Sequence, residues 1–232
     1  PKGVFNLVIG DGRAMGDIMI DRAEAVTFTG GTETGRAVLR KAAETMTKAQ
    51  LELGGKNAYV ILDDADLDLA IETAANAAWI QTGQRCTATE RLIVTRGVHD
   101  QVVERLAAKA RGYKVGHSLD SDTQIGPVAN EKQFAENLAF VETGRTEGAE
   151  LIAGGTTLEC RTRGYYMAPA LLARSTGAMH INQHESFGPI LSVIAVDDLD
   201  EAIAVANGTD LALSSGIATT SLRSAEKFRR ES

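Results

Sequence analysis

Short β-branched and aliphatic runs alternate with helix-length amphipathic stretches along all 232 residues of this chain, and no other feature restricts its fold as much. Strand-like runs fall at residues 4–9, 25–29, 49–53, 59–62, 92–95, 151–153, 167–172, 190–196 and 216–219. Helical ones fall at about 15–21, 34–47, 66–81, 98–111, 130–147, 199–206 and from 222 onward. Strands separated by helices at this spacing predict an α/β fold with a mainly parallel sheet and right-handed crossovers. Glycine, at 23 against 4 prolines, punctuates these elements in a way that suits α/β better than a sandwich. A hydrophobic content of 44% is enough to bury a sizeable core. Neither an internal repeat nor a low-complexity segment interrupts the pattern.

Charge narrows the choice of partners. The net charge is −7 and the isoelectric point near 5.2, with no block of lysine or arginine, which argues against nucleic acid and against an anionic membrane surface. No apolar run approaches the ~18 residues of a spanning helix. Only two cysteines occur, Cys86 and Cys160, and the sequence opens without a charged and then apolar leader, so a reducing, cytoplasmic setting is expected rather than a disulfide framework. The chain begins almost at once on a strand-like run and stops inside a helical pattern, which suggests a piece of a longer polypeptide.

Chemistry-bearing residues gather at element boundaries. Cys86 lies in a loop between a helical run and a β-branched one, where backbone N–H groups could surround a developing oxyanion and Arg85 could favour a thiolate or an anionic ligand. A lone cysteine is more often a small buried hydrophobe. Gly30 and Gly31 follow the strand at 25–29 and open a helix, an arrangement that can bind phosphate, although the spacing is not that of the usual dinucleotide fingerprint and an ordinary capped helix would look the same. Glu52 alternates with Leu51 and Leu53, so it faces away from them, as a solvated carboxylate or as a general base for water. The four histidines show no metal-ligand spacing. Asp63, Asp64 and Asp66 read as a helix cap, Trp79 as packing for the helix before Cys86 or as the lining of a substrate tunnel, and Cys160 as an incidental exposed thiol.

Four segments then coincide in order and separation. Phe28-Thr29-Gly30-Gly31-Thr32-Glu33-Thr34-Gly35, Leu51-Glu52-Leu53-Gly54-Gly55-Lys56, Gly83-Gln84-Arg85-Cys86-Thr87-Ala88 and Glu185-Ser186-Phe187-Gly188-Pro189 resemble the signature segments of the NAD(P)-dependent aldehyde dehydrogenase superfamily. The resemblance runs over essentially the whole chain. It implies the tail of a Rossmann-like cofactor domain at residues 1–53 and most of the parallel-sheet catalytic domain at residues 54–232.

The resemblance also implies roles. Cys86 matches the nucleophile that forms a thiohemiacetal and then a thioester, and Glu52 the base that activates water to hydrolyse it. Gly30 and Gly31 match the pyrophosphate turn, with Gly31 standing where serine is commoner. The Leu53 carbonyl matches the carboxamide contact, Glu185 the holder of the nicotinamide-ribose hydroxyls, and Phe187 the ring packed beside them. The cofactor is NAD or NADP, a choice made by residues not in this chain. Arg85 next to the nucleophile points to an anionic semialdehyde such as 2-oxoglutarate semialdehyde, the alternative being an arginine turned away in a structural role. Full members are about twice as long, and their N-terminal half carries the oxyanion-hole asparagine and the adenosine-ribose lysine, so the chain by itself is not expected to be a competent enzyme. The whole protein is expected to act as a homodimer or homotetramer. Two other readings stay open: a CoA-acylating semialdehyde dehydrogenase, disfavoured by Glu52, and a non-catalytic scaffold that keeps the fold.

Overall fold

The computed structural model describes all 232 residues, which form two compact units, residues 1–54 and 55–232. In the first, α1 (Gly12–Ile20) starts where the Asp11 carboxylate accepts the Arg13 N–H at 2.9 Å. Strands β1 (Ala25–Thr29) and β2 (Lys48–Glu52) pair in parallel with α2 (Thr32–Glu44) as the crossover, and the register sets Thr29 opposite Glu52. Residues 4–9 correct the sequence reading: the expected strand is irregular and exposed, with Phe5 85% accessible. An apolar run becomes a strand only beside a second strand that completes its hydrogen bonds, and the sheet of this unit contains β1 and β2 alone.

The second unit runs β3 (Asn57–Ile61), α3 (Leu67–Trp79), β4 (Thr89–Thr95), α4 (Arg96–Gly112), α5 (Glu131–Thr146), β5 (Glu150–Ala153), β6 (Ala170–Ser175), α6 (His180–Gln183), β7 (Ile190–Val196), α7 (Leu199–Asn207), β8 (Ser215–Ala218) and α8 (Leu222–Glu231). Its six strands lie in the order β5-β6-β7-β4-β3-β8 and are parallel except β5, which runs antiparallel to β6. The predicted α/β architecture is therefore present, with a mixed sheet. Three details differ from the sequence reading. The strand expected at residues 167–172 lies three residues later, at Ala170–Ser175. The helix expected to reach residue 81 stops at Trp79 and gives way to a 3-10 turn, Ile80–Gly83, and the loop before β7 begins with the single helical turn of α6.

Burial follows from alternation along the central strands. Leu92 and Val94 of β4 face a core shared with α3 and α4, while Ile93 between them faces one shared with α7 and α8. Covering both faces in this way buries every residue of β4. Trp79 is fully buried, donates its indole N–H to the Ala170 carbonyl at 3.3 Å and meets Tyr113 edge-on, so it is a core residue. Asp66 caps α3 as expected, whereas Asp63 and Asp64 accept from Thr95 and from Thr219 and Thr220 and so tie β3 to its neighbours on both sides. No helix is long and apolar enough to cross a membrane.

Candidate active site

Because β3, β4 and β7 are parallel, the segments that enter them all arrive at one edge of the sheet. Three of the four signature segments end there: Lys56 precedes β3, Cys86 precedes β4, and residues 185–189 precede β7. Open α/β sheets more commonly use the opposite, carboxyl edge.

The Cys86 turn is held from several sides. Gln81, Thr82 and Gly83 have φ of 58°, 61° and 64°, three consecutive residues in the left-handed region. For Thr82, branched at Cβ, this costs on the order of 1–3 kcal/mol. The surroundings enforce it. Thr82 is buried and donates to the Gly126 carbonyl at 3.1 Å, and a Cβ on Gly83 would collide with the carbonyl oxygens of Gly188 and Ala78. Beyond the turn, the Gln84 side-chain carbonyl accepts the Ala129 N–H at 2.9 Å, and Arg85 Nη2 donates to the carbonyls of Ala77 (2.6 Å) and Asn76 (3.3 Å). The arginine thereby supplies cationic donors to the end of α3, where the helix dipole is negative. Its Nε is buried without a partner. Asn57, buried at the start of β3, donates one amide group to the carbonyls of both Cys86 and Ala88 at 2.8 Å and accepts the Ser214 N–H at 2.8 Å. The Cys86 thiol itself is free and exposed. Cys160 is free and half-buried, its thiol 3.6 Å from the Val115 carbonyl.

The Glu185–Pro189 turn rests on a buried ion pair. Glu90, 3% exposed, bonds to the Lys56 ammonium, 1% exposed. Its two carboxylate oxygens also accept the N–H of Ser186, at 2.9 and 3.1 Å, and that of Phe187, at 3.0 Å. Lys56 further lies 5.1 Å from the centre of the Phe140 ring. Burial pulls the lysine pKa down and the Glu90 charge pulls it back up. Removing one partner of such a pair costs about 3–5 kcal/mol, because the other charge is left buried and alone. Phe187 has φ 48°, a strained value for a bulky residue that the Glu90 bond to its N–H helps to hold. From the other side, Gln133 of α5 donates to the Ser186 carbonyl at 3.0 Å. Glu185 is half-buried. Burial raises its pKa from 4.5 to about 7, the nearby Glu90 charge adds to the rise, and the Gly55 N–H and Lys56 charge oppose it.

In the unit of residues 1–54, Gly30 and Glu52 come together at the ends of β1 and β2, the Gly30 N–H donating to the Glu52 carbonyl at 3.0 Å. The Glu52 side chain is exposed, with Gln50 Nε2 3.4 Å from one of its oxygens. Gly31 is the N-cap of α2 and offers no side-chain cap, and a Cβ on it would meet nothing. Gly30 is packed against the Phe28 ring and Gly35 against the Leu53 side chain, with no room for a Cβ at either.

Sequence reasoning missed Asn57, Lys56, Glu90 and the left-handed residues 81–83. A charged residue flanking an apolar run, such as Glu90 before residues 91–95, was the one visible signal, but such residues are usually solvated. Arg91 is similar: it is buried, donates to the carbonyls of Lys56, Val205 and Ala206 at 2.8–2.9 Å, and burial lowers its pKa to about 10.

The sequence and the fold are similar to those of known proteins. The chain is 40% identical over 226 residues to the alpha-ketoglutaric semialdehyde dehydrogenase of Bacillus subtilis, covering 96% of this chain and 46% of that protein. It is also 40% identical over 232 residues to the 2,5-dioxopentanoate dehydrogenase of Saccharolobus solfataricus, covering 98% and 48%. Its fold superposes on the crystal structure of betaine aldehyde dehydrogenase from Staphylococcus aureus in complex with NAD+ with a TM-score of 0.95 at 32% identity, over 100% of this chain and 46% of that one. The chain thus spans about half the length of the relatives it matches. The profile of the aldehyde dehydrogenase family matches residues 1–232, and the chain belongs to that family.

Proposed function

We propose that this chain carries the nucleophile and the general base of an enzyme that oxidises an aldehyde to a carboxylic acid with NAD or NADP. The observation that carries the reading is an exposed Cys86 thiol on a turn whose backbone is pinned by Asn57, Arg85 and Thr82. A thiol that stays accessible on an immobilised backbone suits a group that must meet an incoming carbonyl carbon in one orientation. Cys86 Sγ adds to that carbon while the carbonyl oxygen, accepting the Cys86 N–H, takes up the charge and then a proton to complete a thiohemiacetal. After the hydride and the hydroxyl proton are both lost, the thioester is hydrolysed by a water whose proton passes to Glu52 and from there to the departing sulfur, releasing the acid and restoring the thiol. When bound, the nicotinamide supplies the hydride acceptor.

The residues fit such a cofactor. The first-turn N–H groups of α2, without a side-chain cap, suit a pyrophosphate approaching over Gly30 and Gly31, where the bare Gly31 leaves the approach open. The Leu53 carbonyl suits a carboxamide, the Glu185 carboxylate suits ribose hydroxyls, and the Phe187 ring suits packing beside the nicotinamide. The activity is assigned to the full-length protein, in which the chain works as a homodimer or homotetramer, and the two free thiols support a cytoplasmic setting.

The substrate we infer is an anionic semialdehyde. Two relatives at 40% identity are named for the semialdehyde of 2-oxoglutarate, under its two chemical names. Arg85 adds little to this reading, since its Nη2 is taken up by the Ala77 and Asn76 carbonyls, and the two relatives carry it.

Stopped-flow measurement of reduced cofactor tests the mechanism in the full-length protein. Cys86→Ser should lose both the first-turnover burst and steady turnover. Glu52→Gln should keep a burst equal to the number of sites while steady turnover falls at least about 100-fold. A normal burst in Cys86→Ser would overturn the reading. Acyl-CoA in place of acid when CoA is supplied would replace hydrolysis by transthiolation.

A further inference from the structure

Glu90 is buried at the start of β4, four residues beyond the nucleophile, and neither the thiol chemistry nor the hydrolysis uses it. It nevertheless makes the densest set of charge-assisted bonds at this edge of the sheet: the Lys56 ammonium on one oxygen, the Ser186 N–H shared between both, and the Phe187 N–H on the other. Two features show that these bonds govern a shape and not merely a fold. Phe187 is held at φ 48°, a conformation that a free loop would leave. The Glu185 carboxylate, one residue before the bonded amides, is drawn into a half-buried site beside the same ion pair. Solvent does not reach the pair, so its charges are not screened and its geometry is stiff.

We propose that Glu90, neutralised by Lys56, is the positioning residue of the Glu185–Phe187 turn, setting where the Glu185 carboxylate and the Phe187 ring are presented to the cofactor's nicotinamide-ribose half. The proposal rests on the reading of Glu185 and Phe187 as cofactor contacts. The ion pair is closed off from solvent and acts through the turn. The Glu90 oxygens accept the lysine and both amides together, an arrangement that an amide side chain has to break by turning a donor toward one of them. The same pair links the turn before β7 to the ends of β3 and β4, so the residues that would bind cofactor are built on the sheet that carries Cys86.

The experiment uses the full-length protein and two readouts that require no turnover: the Kd for NAD, followed by quenching of protein fluorescence, and the rate at which iodoacetamide alkylates Cys86 without cofactor. Glu90→Gln is expected to weaken NAD binding about tenfold, the equivalent of about 1.4 kcal/mol, with the alkylation rate within about twofold of wild type. The double variant Lys56→Met/Glu90→Gln removes the unpaired buried charge, guards against simple unfolding, and is expected to keep the NAD defect. Unchanged NAD affinity in both variants would overturn the positioning role while leaving the proposed function standing. Parallel loss of NAD binding and Cys86 alkylation in the double variant would also overturn it, by reducing the pair to a folding element. A wild-type protein that binds neither NAD nor NADP would overturn the functional reading and this inference with it.

Discussion

Residues 55–232 cover both faces of a six-stranded sheet, whereas residues 1–54 have two parallel strands and bury a single large apolar side chain, Ile20. The smaller unit leaves Val4, Phe5, Leu7, Val8, Ile9, Ile18, Met19, Leu39 and Met46 exposed. A parallel pair needs cover on both faces and further strands at its edges, and neither is present in this unit. The contrast shows where strain can be stored. Left-handed Gln81, Thr82 and Phe187 lie in the larger unit, where a packed core and buried bonds over-determine them, whereas the one non-glycine left-handed residue of the smaller unit, Met46 at φ 58°, is an exposed residue just after α2. The candidate contacts of the smaller unit, Gly30, Gly31, Glu52 and Leu53, sit on strand ends and a helix start that need little more than local sequence to form.

The largest test of this contrast is separation. Residues 55–232 expressed alone should give a cooperative thermal transition by circular dichroism, and residues 1–54 alone should give none. A cooperative melt of the short piece would break the comparison. Within the longer chain, Trp79→Ala should cost about 3–5 kcal/mol in urea denaturation, because it empties the centre of the core. Gly83→Ala should cost about 2–4 kcal/mol, since both its φ and the facing Gly188 carbonyl reject a side chain. Gly31→Ala, in the smaller unit, should cost less than about 1 kcal/mol.

Glu185 gives a smaller effect, with a defined sign. Its carboxyl titrates near 7 in the folded chain and near 4.5 when unfolded, so between those values the native state holds a proton that unfolding releases. Its contribution to stability is complete below pH 4.5 and is lost as pH rises to about 7. Urea midpoints measured across that window should lose this slope in Glu185→Gln, and an unchanged slope would remove Glu185 as its source. The smallest effect is expected at Phe5. Phe5→Ser should shift stability by less than about 0.5 kcal/mol, because the ring is already in solvent.

Much of the fold was legible because it depends on local pattern. The strand at residues 190–196 matches β7 residue for residue, and the helix after Asp66 begins where its carboxylate caps two N–H groups. Residues 4–9 misled for the opposite reason: apolar composition was present, but a strand also needs a hydrogen-bonded neighbour, and β1 and β2 pair only with each other. The end of α3 was misplaced because the left-handed turn at Gln81 and Thr82 is imposed by contacts with Gly126 and Gly188, residues 44 or more positions away, against the preference of threonine. Arg85 carried two readings in the sequence, and the structure sets its guanidinium on the carbonyls of α3.

The sequence alone determined the alternation of strands and helices, the order of the four signature segments and therefore the family, since these are properties of neighbouring residues and of their spacing along the chain. Only the tertiary structure decided that Lys56 and Glu90, 34 residues apart, form an ion pair away from water, and that residues 185–187 close on it. A charge is written in sequence the same way whether it is solvated or buried. Which of the two it becomes depends on the strands that the sheet brings alongside it.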